Sequence, residues 1–416
     1  MKRPHVALGL LALLSVITYL DRVCISVAGP TMQHDLGLGP EQWGWVLGIF
    51  LVSYGLFAMP CGALGDRIGP RKMLAGVVLW WSAFTSLTGA AFGFTTLTVT
   101  QFFFGAGEAG AYPNITGGIG RSLPASEQAR AQGIVWGASR VGGALSPLLV
   151  VPLLAWIGWR RTFFACSVLG VAWTIVWLAW YREPRPAPGE ARPVIPWRRL
   201  LRSRQIWLIV AMYWCYAWGS IFFLTWFPTY LVKGRGFSEK EMGVLAAAPY
   251  VMGLIGNIAG GITSDRLVRR IGLSLGRRLI GTGCLIAAAL CLVATSLTAG
   301  KALGIVLLAA GFGVMDFMLP SAWSLCMDVG GPFAGTVSGA MNTAGSAGGF
   351  VCAVSFGYLV RYFGNYDRPL LVVAALVAAA AVIFWQIDPT QAIFDPCKPE
   401  SSSPPTSPYP ASASAP

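Results

Sequence analysis

The sequence predicts an all-α membrane protein: twelve transmembrane helices in two pseudo-symmetric six-helix bundles, with both termini cytoplasmic. Three observations carry this prediction. Only 11% of the 416 residues are charged, against about 25% in a soluble globular chain, and the mean hydropathy is +0.62. Apolar runs of about 20 residues, each long enough to cross a bilayer as a helix, recur along the chain. The basic residues fall in alternate connections, with 20 of 30 Lys and Arg on one side, 8 on the other and 2 inside spans. The positive-inside rule makes the rich side cytoplasmic.

Each span has its own signature. The first, near residues 6–30, follows "KR", carries "YLDR" and ends at Pro30. Spans 2 and 3 (42–64 and 73–94) flank the loop "GALGDRIGPRK". Span 4 (96–120) is the apolar run "TLTVTQFFFGAGEAGAYPNITGGIG", closed by "RSLPASEQAR". Span 5 (132–157) holds "GASRVGGALSP", and span 6 (162–181) runs into a stretch rich in Pro and Arg. The second half repeats the plan at 205–232, 242–264, 278–298, 302–327, 335–360 and 369–387, with "DRLVRRIGLSLGRR" between spans 8 and 9. The expected organisation is an N-terminal bundle at 1–181, a cytoplasmic linker at 182–204, a C-terminal bundle at 205–388 and a disordered tail at 389–416. The tail's "SSSPPTSPYPASASAP" has too little apolar content to order itself. The first 30 residues resemble a cleavable leader, but Asp21 and Arg22 interrupt the run and further spans follow, so retention is expected.

The halves echo each other. "GALGDRIGPRK" follows span 2 and "GGITSDRLVRRIG" follows span 8, so that Asp66 and Asp265 lie 199 residues apart; Pro30 and Pro228 lie 198 apart. A near-constant offset indicates duplication. Two related six-helix halves are the architecture of an alternating-access transporter, with substrate bound between them near mid-membrane.

Several function classes are disfavoured. The net charge of +13 follows membrane topology and does not form a nucleic-acid patch. The nine cysteines are irregularly spaced and lack a C-x-x-C pair, so neither a disulfide framework nor a metal site is expected. No Walker motif suggests ATP drive. With two histidines, His5 and His34, and no G-x-S-x-G, an enzyme is not expected. No cofactor is expected.

Gly105, Gly107 and Gly110 spell G-x-G-x-x-G, the pattern of a dinucleotide-binding turn, which needs a preceding strand and a βαβ unit. Here the pattern sits inside an apolar helix, where such glycines suit close helix packing. Glu108 is then a carboxyl near the bilayer centre. Ionisable groups at that depth are functional candidates by default, and five stand out: Asp21, Arg22, Glu108, Arg140 and Asp316. Burial favours a carboxyl's neutral form, which makes Glu108 a candidate proton carrier. The structural alternative for each is a buried salt bridge. Asp21 and Arg22 point about 100° apart on a helix and need not pair with each other.

These strings resemble a known family. "GALGDRIGPRK" is similar to the loop signature of the major facilitator superfamily. "YLDR", "GAGEAGAYPN", "WFPTYL" and "DVGGPFAGTVSGAMNTAG" resemble its anion:cation symporter branch, which includes sugar-acid, hexuronate and phthalate permeases and organic-anion carriers. The resemblance implies coupling protons on Asp21 and Glu108, and a substrate carboxylate on Arg22. Guanidinium suits that task because it stays charged and binds carboxylate through a fork. It also implies cavity-lining roles for Tyr19, Tyr54, Ser321, Trp323 and Asn342.

One position departs from the branch: an arginine expected two turns before the glutamate is Gln101. Arg140 is the candidate replacement, and Asp316 is a cavity acid with no inherited role. Asp66 and Asp265, near Arg67, Arg71, Arg266 and Arg269, would form charge-assisted latches of the outward-open state.

The expected function is import of a small organic anion, foremost a sugar acid, by proton symport. The alternatives are a carrier of dicarboxylates or aromatic acids, or an exchanger or facilitator without proton coupling. The expected setting is the bacterial inner membrane, with a small carboxylate, protons and the lipid bilayer as partners, no nucleic acid, and a monomeric carrier.

Overall fold

The computed structural model describes residues 4–182, 195–238, 241–242, 245 and 247–393, and every regular element among them is helical. In the first half, α1 is Pro4–Leu36, α2 Pro40–Ile68 and α3 Pro70–Gly89. Next, α4 comes in two pieces, Phe94–Glu108 and Ala111–Ser122. α5 (125–157) and α6 (159–180) are continuous except at Gly158. There φ is +76°, a conformation only glycine adopts without strain, and the chain reverses.

In the second half, α7 is Arg204–Ile221, prolonged to Gly234 through two wider π-helical turns around Pro228. Proline lacks the N–H that a regular α-turn would use. Then come α8 (Ala248–Ile271), α9 (Leu273–Leu297), α10 (Lys301–Gly330), α11 (Ala334–Phe363) and α12 (Arg368–Gln386). A helix stands at each of the twelve expected spans, several extended by one or two turns; of the expected eighth span, 242–264, residues 243, 244 and 246 lie outside the described residues and the helix runs from Ala248. Within the stretch expected as linker, Trp197–Arg202 forms a short helix. Residues 183–194 of the linker, and 394–416 of the expected disordered tail, lie outside the described residues.

Helices α1–α6 form one bundle and α7–α12 the other. The bundles meet along two seams, α5 against α8 and α2 against α11. Both seams depend on glycine. A Cβ on Gly133 would strike the Asn257 carbonyl, and one on Gly62 would strike the Gly335 carbonyl. Hydrocarbon offers no hydrophobic drive between helices, so small residues that let backbones touch are what hold such seams. The G-x-G-x-x-G stretch has the same explanation. A Cβ on Gly105 would collide with Ser53 Oγ and the Phe50 carbonyl, and one on Gly110 with Val77 and Cys61. The break after Glu108 is a packing device, and no phosphate cradle forms.

Candidate functional site at the bundle interface

The five intramembrane ionisable groups sort into two pairs and one lone acid. Halfway along α1, Arg22 Nε donates to Glu108 Oε1 at 3.1 Å, and Nη2 lies 3.0 Å from the same oxygen. Glu108 Oε2 has no hydrogen-bond partner among the described residues. The pair is asymmetric in access: Glu108 is 1% exposed, Arg22 27%. The guanidinium carbon sits 5.2 Å from the Tyr19 ring centre, 5.2 Å from Phe50 and 4.8 Å from Tyr54. Their ring faces stabilise a cation that water reaches only partly. Arg22 therefore presents a partly accessible fork, loosely held by one carboxylate oxygen.

Asp21 points elsewhere, as the 100° step along a helix requires. It is 4% exposed, and neither carboxyl oxygen has a hydrogen-bond partner among the described residues. A buried carboxyl without a hydrogen-bond partner is an exception among native side chains.

The second pair crosses the interface. From α5, Arg140 Nε and Nη2 reach Asp316 Oδ2 and Oδ1 of α10 at 2.8 and 2.9 Å. Asn257 Nδ2 of α8 donates to Asp316 Oδ2 at 3.0 Å. Arg140 is 4% exposed and Asp316 fully buried, with the Phe312 ring 5.1 Å from the guanidinium. For Arg140 the sequence left two readings, a substrate anchor or a buried salt bridge; here a fixed acid from the opposite bundle holds two of its nitrogens, and an unpaired guanidinium at this depth would be costly. Asp316 gains its role from the same contact.

The remaining expected site residues divide. Asn342 of α11 donates to the Tyr54 hydroxyl at 3.1 Å, linking the bundles beside Arg22. Trp323 is fully buried and donates to the Tyr213 hydroxyl at 3.2 Å. It packs with Trp136 and Tyr112, whose own rings stack at 4.3 Å. These aromatics come from both bundles and form a floor on the cytoplasmic side of Arg22, one turn beyond Glu108 on α4. Ser321 of α10 accepts from Ser264 Oγ of α8 at 3.3 Å. Gln101 faces α3, donating to Thr88 Oγ1 at 3.1 Å. Neither accompanies Arg22: within a bundle, inward helix faces meet each other as well as the cavity.

At the cytoplasmic ends the loop-signature aspartates do more than pair with neighbours. Asp66 accepts from the Gly335 N–H (3.1 Å), the Thr336 N–H (2.6 Å) and the Thr336 hydroxyl (2.6 Å) at the start of α11. Asp265 accepts from the Ala129 N–H (3.1 Å) and the Arg130 N–H (2.7 Å) in the second turn of α5. Each acid thus holds a helix of the opposite bundle near its start; Asp66 caps α11, where free N–H groups and the positive end of the helix dipole attract a carboxylate. Among the described residues, none of Arg67, Arg71, Arg266 and Arg269 bonds to either aspartate. Arg71 donates to the Tyr181 and Leu178 carbonyls, while Arg67, Arg266 and Arg269 are exposed. Arg277, fully buried, instead reaches Asp265 at 3.4 Å and Asp328 at 3.1 Å.

Sequence reading missed Phe50, Asn257, Arg277 and Thr336. Asn257 alone gave a signal, as an amide inside an apolar helix. Among the described residues no cluster of side chains could hold a metal ion.

Known proteins resemble the chain over almost its whole length. The sequence model of the Major Facilitator Superfamily matches residues 11–353. The chain is 33% identical over 415 residues to a probable sulfoacetate transporter of Cupriavidus necator, covering 95% of this chain and 96% of that one. It is 28% identical over 386 residues to the hexuronate transporter of Bacillus subtilis, covering 89% and 92%. Among solved structures, the Escherichia coli fucose:proton symporter superposes with a TM-score of 0.73 at 16% identity, covering 92% of this chain and 99% of that one. This last likeness concerns the fold.

Proposed function

The chain belongs to the Major Facilitator Superfamily, and on that premise we propose that it imports a small organic anion, foremost a sugar acid, together with protons. Its class, a multi-pass membrane transporter and not an enzyme, is that of its relatives. The observation that carries the proposal is the half-satisfied contact between Arg22 and Glu108, in an aromatic cradle at the bundle interface.

The coupling follows from charge. While Glu108 is ionised it holds Arg22 and opposes a second anion. A proton on Glu108 removes that competitor, and the substrate carboxylate takes the guanidinium fork through two charge-assisted bonds. By linkage, bound substrate favours the proton equally. Asp21, without partners, is the second proton carrier. Tyr19, Tyr54 and Asn342 supply hydroxyl and amide groups that suit a polyol. Release inward requires Asp66 and Asp265 to leave the helices of the opposite bundle that they hold. The carrier works as a monomer.

The test is Glu108→Gln in proteoliposomes, which keeps shape but cannot cycle a proton. Accumulation driven by a pH gradient is expected to vanish, while exchange of labelled for unlabelled substrate persists. Undiminished pH-driven accumulation would remove Glu108 from coupling.

A further inference from the structure

The second loop signature leaves Arg266 and Arg269 without a task, and the start of α5 leaves Arg130. Arg266 and Arg269 do not latch Asp265, and together with Arg130 they have no acid within ion-pair distance among the described residues. They line one cavity of about 330 Å³ on the cytoplasmic side of the α5–α8 seam. Its other charged linings are Glu127 and Asp265. Asp265 is already engaged by two backbone N–H groups and Arg277, so three guanidiniums face one uncompensated carboxylate. The positive end of α5, beginning at Ala125, adds to the field.

The cavity also has an apolar wall. Ile134 of α5 and Ile258 and Ile262 of α8 continue the lining away from the charged rim, toward the membrane interior. Ile258 is 42% exposed, as a lipid-facing side chain is. From Ile258 to Arg269 the helix rises roughly 16 Å. The cavity therefore offers phosphate-binding groups at headgroup depth, and beneath them a greasy track.

We propose that this cavity binds the headgroup of an anionic phospholipid from the cytoplasmic leaflet. Arg130, Arg266 and Arg269 hold the phosphate, and the three isoleucines lie along the upper acyl chain. Basic pockets between spanning helices on the cytoplasmic side suit such headgroups. The lining comes from both bundles and is complete only while Asp265 holds the Ala129 and Arg130 N–H groups of α5. A lipid seated there consequently favours the state with its cytoplasmic side closed, by the difference in its affinity for the two states. The proposal is independent of which anion is carried.

The test uses the full chain, delipidated in detergent, with phosphatidylglycerol, phosphatidylcholine or inorganic phosphate added separately. Lipid retention is read by native mass spectrometry and stability by thermal unfolding. Phosphatidylglycerol alone is expected to be retained and to raise the melting temperature. The combined Arg130→Gln, Arg266→Gln and Arg269→Gln variant should lose both effects, and Arg269→Gln alone should weaken them without compromising folding. A control removes equal charge from the short helix before α7, by Arg198→Gln, Arg199→Gln and Arg202→Gln, and should keep both effects. Equal loss in the control would overturn the site in favour of diffuse surface charge. An equal shift with inorganic phosphate would overturn the lipid assignment. Retention undiminished in the pocket variants would overturn both.

Discussion

Replacing Arg140 by Gln should destabilise the empty protein more than it weakens binding. The substitution removes the 2.8 and 2.9 Å bonds to Asp316 and leaves that carboxylate with Asn257 at 3.0 Å as its remaining donor. Asp316 is fully buried, so its charge cannot turn to water. Breaking a buried pair by deleting one partner costs about 3–5 kcal/mol, and the same order is expected for Arg140→Gln. Adding Asp316→Asn removes the stranded charge and should recover most of the loss. Gln101→Arg should recover nothing, because that side chain faces Thr88 on α3. Thermal unfolding of the three variants in one detergent measures stability. Affinity for a carboxylate that shifts the wild-type protein in a thermal screen measures binding. Unchanged stability in Arg140→Gln together with lost affinity would refute the clasp and make Arg140 a substrate anchor.

Two further outcomes follow from the same geometry. Arg22→Ala should lower substrate affinity, by about 2–5 kcal/mol if a buried carboxylate pair is lost, and Arg22→Lys should restore little because an ammonium lacks the fork; isothermal titration decides, and wild-type affinity in correctly folded Arg22→Ala would make Arg22 structural. Asp66→Ala removes the cap on α11, a contact worth about 0.5–2 kcal/mol, and should shift the bundles toward a cytoplasm-open state, read as faster labelling of cysteines placed at the cytoplasmic seam; unchanged labelling would show that the cap does not hold the gate.

The spans, their number and their orientation were legible in the sequence because each depends on local composition. A helix in lipid must satisfy its own backbone groups, so an apolar run of sufficient length forms a helix whatever its neighbours are. The duplication was legible for a similar reason: Asp66 and Asp265 keep their place relative to the helix each one ends. The depth of Glu108, Arg22, Arg140 and Asp316 was also readable, since depth follows from position along a span.

What each charge meets was not readable. Arg22 finds Glu108 across 86 residues, Arg140 finds Asp316 across 176, and Asp66 finds Thr336 across 270. Such partners are set by which helix faces the glycine-lined seams bring together, and by rotations of a few tens of degrees about each helix axis. Ser321 and Gln101 show the consequence, since both lie at suitable depth and both turn toward their own bundle. The first-loop and second-loop arginines show it again. Their number fixed the topology, but only packing decided that backbone N–H groups of the opposite bundle, and not Arg67, Arg71, Arg266 or Arg269, would receive the two aspartates. A single chain's sequence sets the cost of burying each charge; the tertiary structure alone decides which opposite charge or free N–H stands close enough to offset it.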